Sequence, residues 1–233
     1  MTYVMSDIHG MYGKYIKMLD LIVLSDRDTL YILGDVIDRG SEPVRVLQDM
    51  MRRRNVKPLL GNHELMALNA LSAVGDRIDD SGFVTDNALQ FSREYMLWQM
   101  NGCRTTMEGL GRLNSKERRE IVRYIRGFSL HETVTVGKNT FILVHAGFEN
   151  FSKDRPIDDY TPDELVWCRH VPDERYFDDE STYFVTGHTP VQKLTGKPYI
   201  LHKNGNIFID CGACLNGGKL GCIRLEDFME FYA

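Results

Sequence analysis

Short apolar runs alternate with longer amphipathic stretches in the first part of the chain. Three runs have the length and composition of buried strands, at residues 3–5, 29–33 and 56–60. Apolar residues recur at helical spacing between Tyr12 and Val23, after the first run. A second helix is predicted to start near Glu42, with Pro43 in its first turn. This order of elements favours an α/β layer structure with parallel strands.

The middle of the chain, residues 75–127, has no strand-like alternation and predicts helices joined by polar turns. Asn114 and Glu117 have the spacing of a capping box, and the apolar residues Ile121, Val122 and Ile125 follow at helical spacing. Because no linker rich in Pro, Gly or Ser borders this part, we expect a helical insertion within a single domain of residues 1–233.

The last part of the chain is rich in short strands. Residues 130–136 and 140–144 flank Gly137-Lys138-Asn139, a hairpin signal. Further strands are predicted at residues 183–186, 199–201, 207–209 and 222–225.

Composition and charge narrow the classes of function. The chain is 43% hydrophobic and 26% charged, as in ordinary globular enzymes. The formal net charge of −5 argues against a duplex nucleic-acid partner on electrostatic grounds. The start of the sequence lacks the features of a signal peptide, and no apolar run is long enough to span a bilayer. We therefore expect a cytoplasmic protein with no membrane partner.

The five cysteines do not predict a disulfide framework, since their number is odd and no secretion signal accompanies them. Cys211 and Cys214 form a C-x-x-C. Because a second pair or two closely spaced histidines are missing, we interpret them as ordinary thiols near a strand.

Chemically versatile residues follow five of the predicted strands. In open α/β sheets, ligands bind at the carboxyl ends of strands, so these side chains converge if the strands share one orientation. The five clusters are Asp7-x-His9, Gly34-Asp35-x-x-Asp38-Arg39-Gly40, Gly61-Asn62-His63-Glu64, His145-Ala146-Gly147 and Gly187-His188.

The residue types in these clusters suit metal ions, because Asp, His and Asn supply oxygen and nitrogen ligands to Mn²⁺, Fe or Zn²⁺. A carboxylate such as that of Asp35 has two oxygens and can bridge two cations. Turn formation explains Gly and Asp at strand ends but gives no reason for repeated histidines. Four of the seven histidines lie in the clusters, and we interpret His131, His170 and His202 as structural.

The ordered set D-x-H, G-D-x-x-D-R-G, G-N-H-E, H-A-G and G-H resembles the calcineurin-like metallophosphoesterases, in particular the short bacterial and phage phosphoprotein phosphatases. The resemblance runs from Asp7 to His188 and implies a β-sandwich of two mixed sheets flanked by helices. It implies two divalent ions, manganese first, with iron or zinc as alternatives. One ion would be held by Asp7, His9 and Asp35, and the other by Asp35, Asn62, His145 and His188.

The same resemblance implies hydrolysis by in-line attack of a hydroxide shared by the two metals. His63 would protonate the leaving group as general acid, and Asp38 would orient it. Arg39 and Arg169 would bind the phosphoryl oxygens, since guanidinium fits phosphate bidentately. Glu64 is interpreted as a first-turn helix acid without a catalytic role.

The expected activity is that of a phosphatase acting on phosphoserine or phosphothreonine, in a protein or a small phosphoester. The first alternative is a symmetrical diadenosine tetraphosphate hydrolase. Such relatives tend to have Ala at the position of Asp38 and Asp at that of Glu64. A non-catalytic scaffold is a remote alternative, because every expected ligand is retained. Two departures concern substrate recognition: Leu60 stands where many relatives have Arg, and 210–214 lacks a tyrosine-containing motif.

Overall fold

The computed structural model describes residues 1–74, 92–169, 173 and 175–233. His170 and residues 75–91 of the predicted insertion lie outside the described residues. The strands are β1 (Thr2–Met5), β2 (Thr29–Ile32), β3 (Val56–Pro58), β4 (His131–Val136), β5 (Asn139–Val144), β6 (Thr182–Thr186), β7 (Leu201–Lys203), β8 (Asn206–Phe208), β9 (Gly221–Arg224) and β10 (Glu230–Tyr232). The helices are α1 (Tyr12–Leu21), α2 (Pro43–Met50), α3 (Asn62–Val74), α4 (Arg93–Met100), α5 (Arg104–Gly111), α6 (Ser115–Arg126), α7 (Pro162–Val166) and α8 (Gln192–Thr195), with a 3₁₀ turn at Ile157–Asp159.

The first sheet has the strand order β10-β9-β1-β2-β3. Strands β1, β2 and β3 are parallel, and Ile32 pairs with Met5 on one side and Pro58 on the other. The loops that follow these three strands therefore leave the sheet at the same edge.

The second sheet has the order β4-β5-β6-β8-β7. Here β5, β6 and β8 are parallel, and Val185 pairs with Leu143 and Ile207. The loops after β5 and β6 leave at one edge as well. The two mixed sheets confirm the predicted fold class.

Alternation along the strands explains why the sheets stack. Val4 and Tyr31 of the first sheet lie in one buried cluster with Phe141 and Val185 of the second. Their neighbours point the other way and pack against helices, as Met5 does in the cluster with residues of α1 and α2. A strand with apolar residues on both faces is buried on both faces, which is the pattern of a layered α/β fold.

The insertion contributes α4, α5 and α6 among the described residues. The capping box at Asn114 is confirmed, because its side chain accepts from the Glu117 backbone while the Glu117 side chain accepts from the Asn114 backbone. Trp98 and Ile121 lie in the same buried cluster as α1 and α2. The assignment of one domain to residues 1–233 stays a prediction.

Several elements differ from the sequence-based expectations. Strand β7 starts two residues later than predicted, at Leu201. Strand β10 was not predicted, since its residues become a strand only by pairing with β9. Helix α7 was also missed, although Thr161 and Glu164 form a capping box at its start. No helix among the described residues is long and apolar enough to cross a membrane.

Candidate metal centre and acid–base pair

The five sequence clusters meet at one edge of the sandwich. The Asp7, Asp35 and Asn62 clusters follow β1, β2 and β3, while His145 and His188 follow β5 and β6. All of the predicted metal ligands except His188 are buried, and His188 is partly buried. The parallel order of the strands within each sheet brings these side chains together, as expected from the sequence.

The carboxylate of Asp35 lies between two groups of imidazoles. Its Oδ2 is 3.5 Å from Nε2 of His9 and 3.8 Å from Nε2 of His63. Its Oδ1 is 3.4 Å from Nε2 of His145 and accepts a hydrogen bond from the His63 backbone. Each oxygen thus faces a different group, which is the arrangement that a bridging carboxylate needs.

On one side of Asp35, three atoms with lone pairs converge. Asn62 Oδ1 lies 3.0 Å from both His145 Nε2 and His188 Nδ1, and these two nitrogens are 3.2 Å apart. Because His145 Nδ1 donates to the Leu33 carbonyl at 2.6 Å, its Nε2 presents a lone pair. These three atoms offer more lone pairs than there are protons to share between them, so a bound cation would satisfy them.

On the other side, His9 is oriented in the same way. Its Nδ1 donates to the Ile37 carbonyl at 2.9 Å, so Nε2 presents its lone pair next to Asp35. Metal-binding histidines commonly have their tautomer fixed by a backbone carbonyl in this way. Asp7 is buried beside this group, where its Oδ2 accepts from Ser6 Oγ and from the His188 backbone. Asp7 therefore links the loops after β1 and β6.

Electrostatics also fit divalent cations at this edge. Burial lowers the pKa of His9 and His145, and burial together with Arg169 lowers the pKa of His188 to about 3. Neutral imidazole is the form that binds metals. Burial and then the charge of Asp7 raise the pKa of Asp35. Two buried carboxylates that repel each other would be stabilised by a bound divalent cation.

Asp210 adds a further buried carboxyl that the sequence did not single out. Burial raises the pKa of Asp210 to about 6. The charge of Asp210 is in turn the second cause, after burial, of the raised pKa of Asp7. Its Oδ1 accepts from the Gly212 backbone at 2.8 Å.

The backbone of the site departs from ordinary strand and helix geometry. Asp7, Asp35, Asp38 and His188 have φ values of 54°, 52°, 71° and 62°. Left-handed conformations of such residues cost of order 1–3 kcal/mol each and occur mainly at functional sites. Gly61 permits the close approach, because a Cβ there would collide with the backbone nitrogen and carboxylate of Asp35.

Glu64 holds the loop that carries Asp35. As expected, it lies in the first turn of α3, but it is fully buried. Its carboxylate accepts hydrogen bonds from four backbone N–H groups, those of Asp35 at 2.8 Å, Val36 at 2.8 Å, Ile37 at 3.2 Å and Gly61 at 3.0 Å. Burial raises the pKa of Glu64, while His63 and the three N–H donors of the Asp35 loop lower it. The sequence gives its place on the helix but not this contact.

His63 and Asp38 form a fully buried pair. His63 Nδ1 donates to Asp38 Oδ2 at 2.6 Å, which leaves Nε2 facing Asp35. Two residues of the insertion also reach Asp38: the indole N–H of Trp98 and the hydroxyl of Thr106. No local motif signalled either residue.

The two arginines differ in their surroundings. Arg39 Nη1 lies 2.7 Å from His9 Nε2, and its Nη2 lies 2.9 Å from His63 Nε2. Arg39 is an exposed residue, but its guanidinium lies between these two imidazoles. Arg169 is exposed as well, and its charge is the second cause, after burial, of the lowered pKa of His188. Leu60 is buried in the apolar cluster beside the helices and offers no charge to the site.

Two of the histidines predicted to be structural lie apart from the centre. His131 pairs with Asp158 and His202 with Glu230, both at the surface. All five cysteines are free thiols.

A sandwich of two mixed sheets that gathers Asp, Asn and His at the carboxyl ends of its strands is the architecture of a metal-dependent phosphoesterase. The family described as "Calcineurin-like phosphoesterase" matches residues 2–211, and the chain belongs to this family.

Two kinds of relative are similar to the chain. Over 147 residues the chain is 32% identical to the symmetrical bis(5'-nucleosyl)-tetraphosphatase of Acidovorax sp. (strain JS42). The aligned region covers 62% of this chain and 43% of that protein. The matches span less than half the length of such curated relatives. A structure named as a candidate diadenosine tetraphosphatase superposes with TM-score 0.67 at 15% identity, covering 100% of this chain and 92% of that one. The cold-active protein-tyrosine phosphatase of Shewanella sp. gives TM-score 0.54 at 18% identity, covering 99% and 79%. At such identities the structural matches establish the fold alone.

Proposed function

We propose that this chain hydrolyses a phosphoric ester or anhydride with two divalent cations. The observation that carries the proposal is the position of Asp35, whose two carboxylate oxygens face the imidazole of His9 on one side and that of His145 on the other. A shared carboxylate is what a pair of closely spaced cations requires.

One cation would be held by Asp7, His9 and Asp35, and the other by Asp35, Asn62, His145 and His188. Two bound divalent ions supply Lewis-acid charge for phosphoryl oxygens and lower the pKa of water. The mixed nitrogen and oxygen donors suit Mn²⁺, with Fe or Zn²⁺ as alternatives.

The acid–base role falls to His63. Its Nδ1–H donates to Asp38, so the ring is held with Nε2 toward the site, where it can deliver a proton to a leaving oxygen. Arg39 lies beside that nitrogen and would bind phosphoryl oxygens, with Arg169 as a second contact.

For the substrate, the first candidate is a symmetrical dinucleoside tetraphosphate. The names of the curated relatives support it, and they favour it over the phosphoprotein phosphatase activity expected from the sequence. The second candidate is a phosphomonoester of serine or threonine, in a peptide or a small molecule. The buried His63–Asp38 pair favours this one, because an alkoxide needs a proton to leave, whereas a nucleoside diphosphate leaves as a stabilised anion.

A direct comparison of kcat/KM decides between the candidates. Diadenosine tetraphosphate, a phosphoserine peptide and 4-nitrophenyl phosphate are offered to the Mn²⁺-loaded protein. Preference for the dinucleotide by orders of magnitude supports the first candidate, and the reverse supports the second. If none of them is turned over with Mn²⁺, Fe²⁺ or Zn²⁺, the hydrolase proposal is refuted and the non-catalytic scaffold is the remaining hypothesis.

The acid role of His63 is tested by His63→Ala. We expect kcat on the phosphopeptide to fall by about 10²–10⁴-fold, the usual contribution of a positioned acid, with metal content nearly unchanged. The dinucleotide should be affected less, because its leaving group needs little protonation. Unchanged kcat on the phosphopeptide would show that His63 is not the acid.

A further inference from the structure

The helical insertion contacts the acid–base pair directly. Trp98 of α4 donates its indole N–H to Asp38 Oδ2 at 2.7 Å. Thr106 of α5 donates its hydroxyl to Asp38 Oδ1 at 2.5 Å and accepts the Asp38 backbone N–H at 3.0 Å. Both oxygens of Asp38 are therefore held by side chains that lie 60 and 68 residues further along the chain.

The surroundings of these contacts exclude water. Asp38, His63 and Trp98 have no exposed surface, and Thr106 is 2% exposed. In such a place an oxygen without a donor is not rescued by solvent, and hydrogen bonds to a carboxylate are stronger than neutral ones. Asp38 Oδ2 accepts from both Trp98 and His63, so the carboxylate plane and the direction of the imidazole are set together.

We propose that Trp98 and Thr106 are positioning residues that fix the Asp38 carboxylate and thereby aim Nε2 of His63 at the leaving oxygen. The insertion is in this way part of the machinery for proton transfer. The turn between the two helices supports this, because the Gly102 carbonyl accepts the Arg39 backbone N–H at 3.1 Å. The inference rests on the proposed acid role of His63.

The main test uses Thr106→Val, which keeps the shape of the side chain and removes the hydroxyl. The neighbouring Thr105→Val is a matched control, because the Thr105 hydroxyl is buried and has no hydrogen-bond partner among the described residues. Thr106→Ser restores the hydroxyl. Trp98→Phe removes the indole N–H and keeps an aromatic ring.

Two aryl esters separate positioning from general damage. Phenyl phosphate has a poorer leaving group than 4-nitrophenyl phosphate and depends more on an acid. For Thr106→Val and Trp98→Phe we expect kcat on phenyl phosphate to fall by about 10–100-fold, the usual effect of losing an outer hydrogen bond to a site residue. On 4-nitrophenyl phosphate kcat should change little, KM should stay the same for both, and Thr106→Ser should recover most of the loss.

Equal losses on the two esters, or a loss in Thr105→Val as large as in Thr106→Val, would overturn the proposal. The metal content of each variant is measured as well. A loss of kcat that is explained by missing metal would also count against the proposal. A readout without turnover is the tautomer of His63 by long-range ¹H–¹⁵N NMR of the Zn²⁺-loaded protein. We expect the Nδ1–H form in the parent chain and a mixture in Thr106→Val. If the parent hydrolyses no ester, the proposed function fails, and this spectrum alone decides whether Thr106 positions the pair.

Discussion

The hydrogen bonds of Glu64 predict that this residue is needed for both folding and metal binding. Its buried carboxylate accepts four backbone N–H groups from the Asp35 loop and from Gly61. Glu64→Gln keeps the size of the side chain and one oxygen. The amide NH₂ replaces the other oxygen and faces two backbone donors, which then have no acceptor.

The cost follows from these two donors. A buried donor left without a partner costs about 1–3 kcal/mol, so Glu64→Gln should lower the free energy of unfolding by about 2–6 kcal/mol. That is a large part of the 5–15 kcal/mol by which domains are typically stable. Because the displaced loop carries Asp35, metal affinity should fall too.

Urea unfolding followed by circular dichroism measures the first effect, and calorimetric titration with Mn²⁺ measures the second. Glu117→Gln is a matched control, since Glu117 is also in the first turn of a helix but is solvent-exposed, and it accepts one backbone N–H, from Asn114 at 2.9 Å. Its change should cost less than about 1 kcal/mol. The reasoning is refuted if the two substitutions cost the same, or if Glu64→Gln binds Mn²⁺ as tightly as the parent chain.

Three more predictions concern individual side chains. Asp35→Asn keeps the side-chain volume but removes the negative charge that faces the imidazoles on both sides. Elemental analysis should therefore find less of both metals, and an unchanged metal content would contradict a bridging role. Asn114→Ala removes the acceptor for the Lys116 and Glu117 backbone N–H groups and should lower unfolding free energy in urea by about 1 kcal/mol, whereas no change would mean that the start of α6 is held otherwise. Burial raises the pKa of Cys103 to about 12 and that of Cys222 further. At about pH 9, near the ordinary thiol pKa, iodoacetamide should therefore alkylate both cysteines in the unfolded protein but neither of them in the native protein. Rapid labelling of Cys222 in the native protein would disprove this protection.

The sequence by itself determined most of the strands, the fold class and most of the side chains that meet at the site. Strand periodicity is local, so the first three strands could be located from residues 2–60 alone. Polar clusters after consecutive parallel strands must leave a sheet at the same edge, which is why Asp7, Asp35 and Asn62 could be grouped before any coordinates were known.

The tertiary structure decided what depends on contacts between distant segments. A helix start explains Glu64 in the first turn of α3, but only packing brings its carboxylate under the loop after β2. Trp98 and Thr106 look like ordinary helix residues, and their hydrogen bonds to Asp38 exist because α4 and α5 fold back over the site. Local preference acts over a few residues, whereas the partner of a buried polar group is chosen by whichever element packs against it.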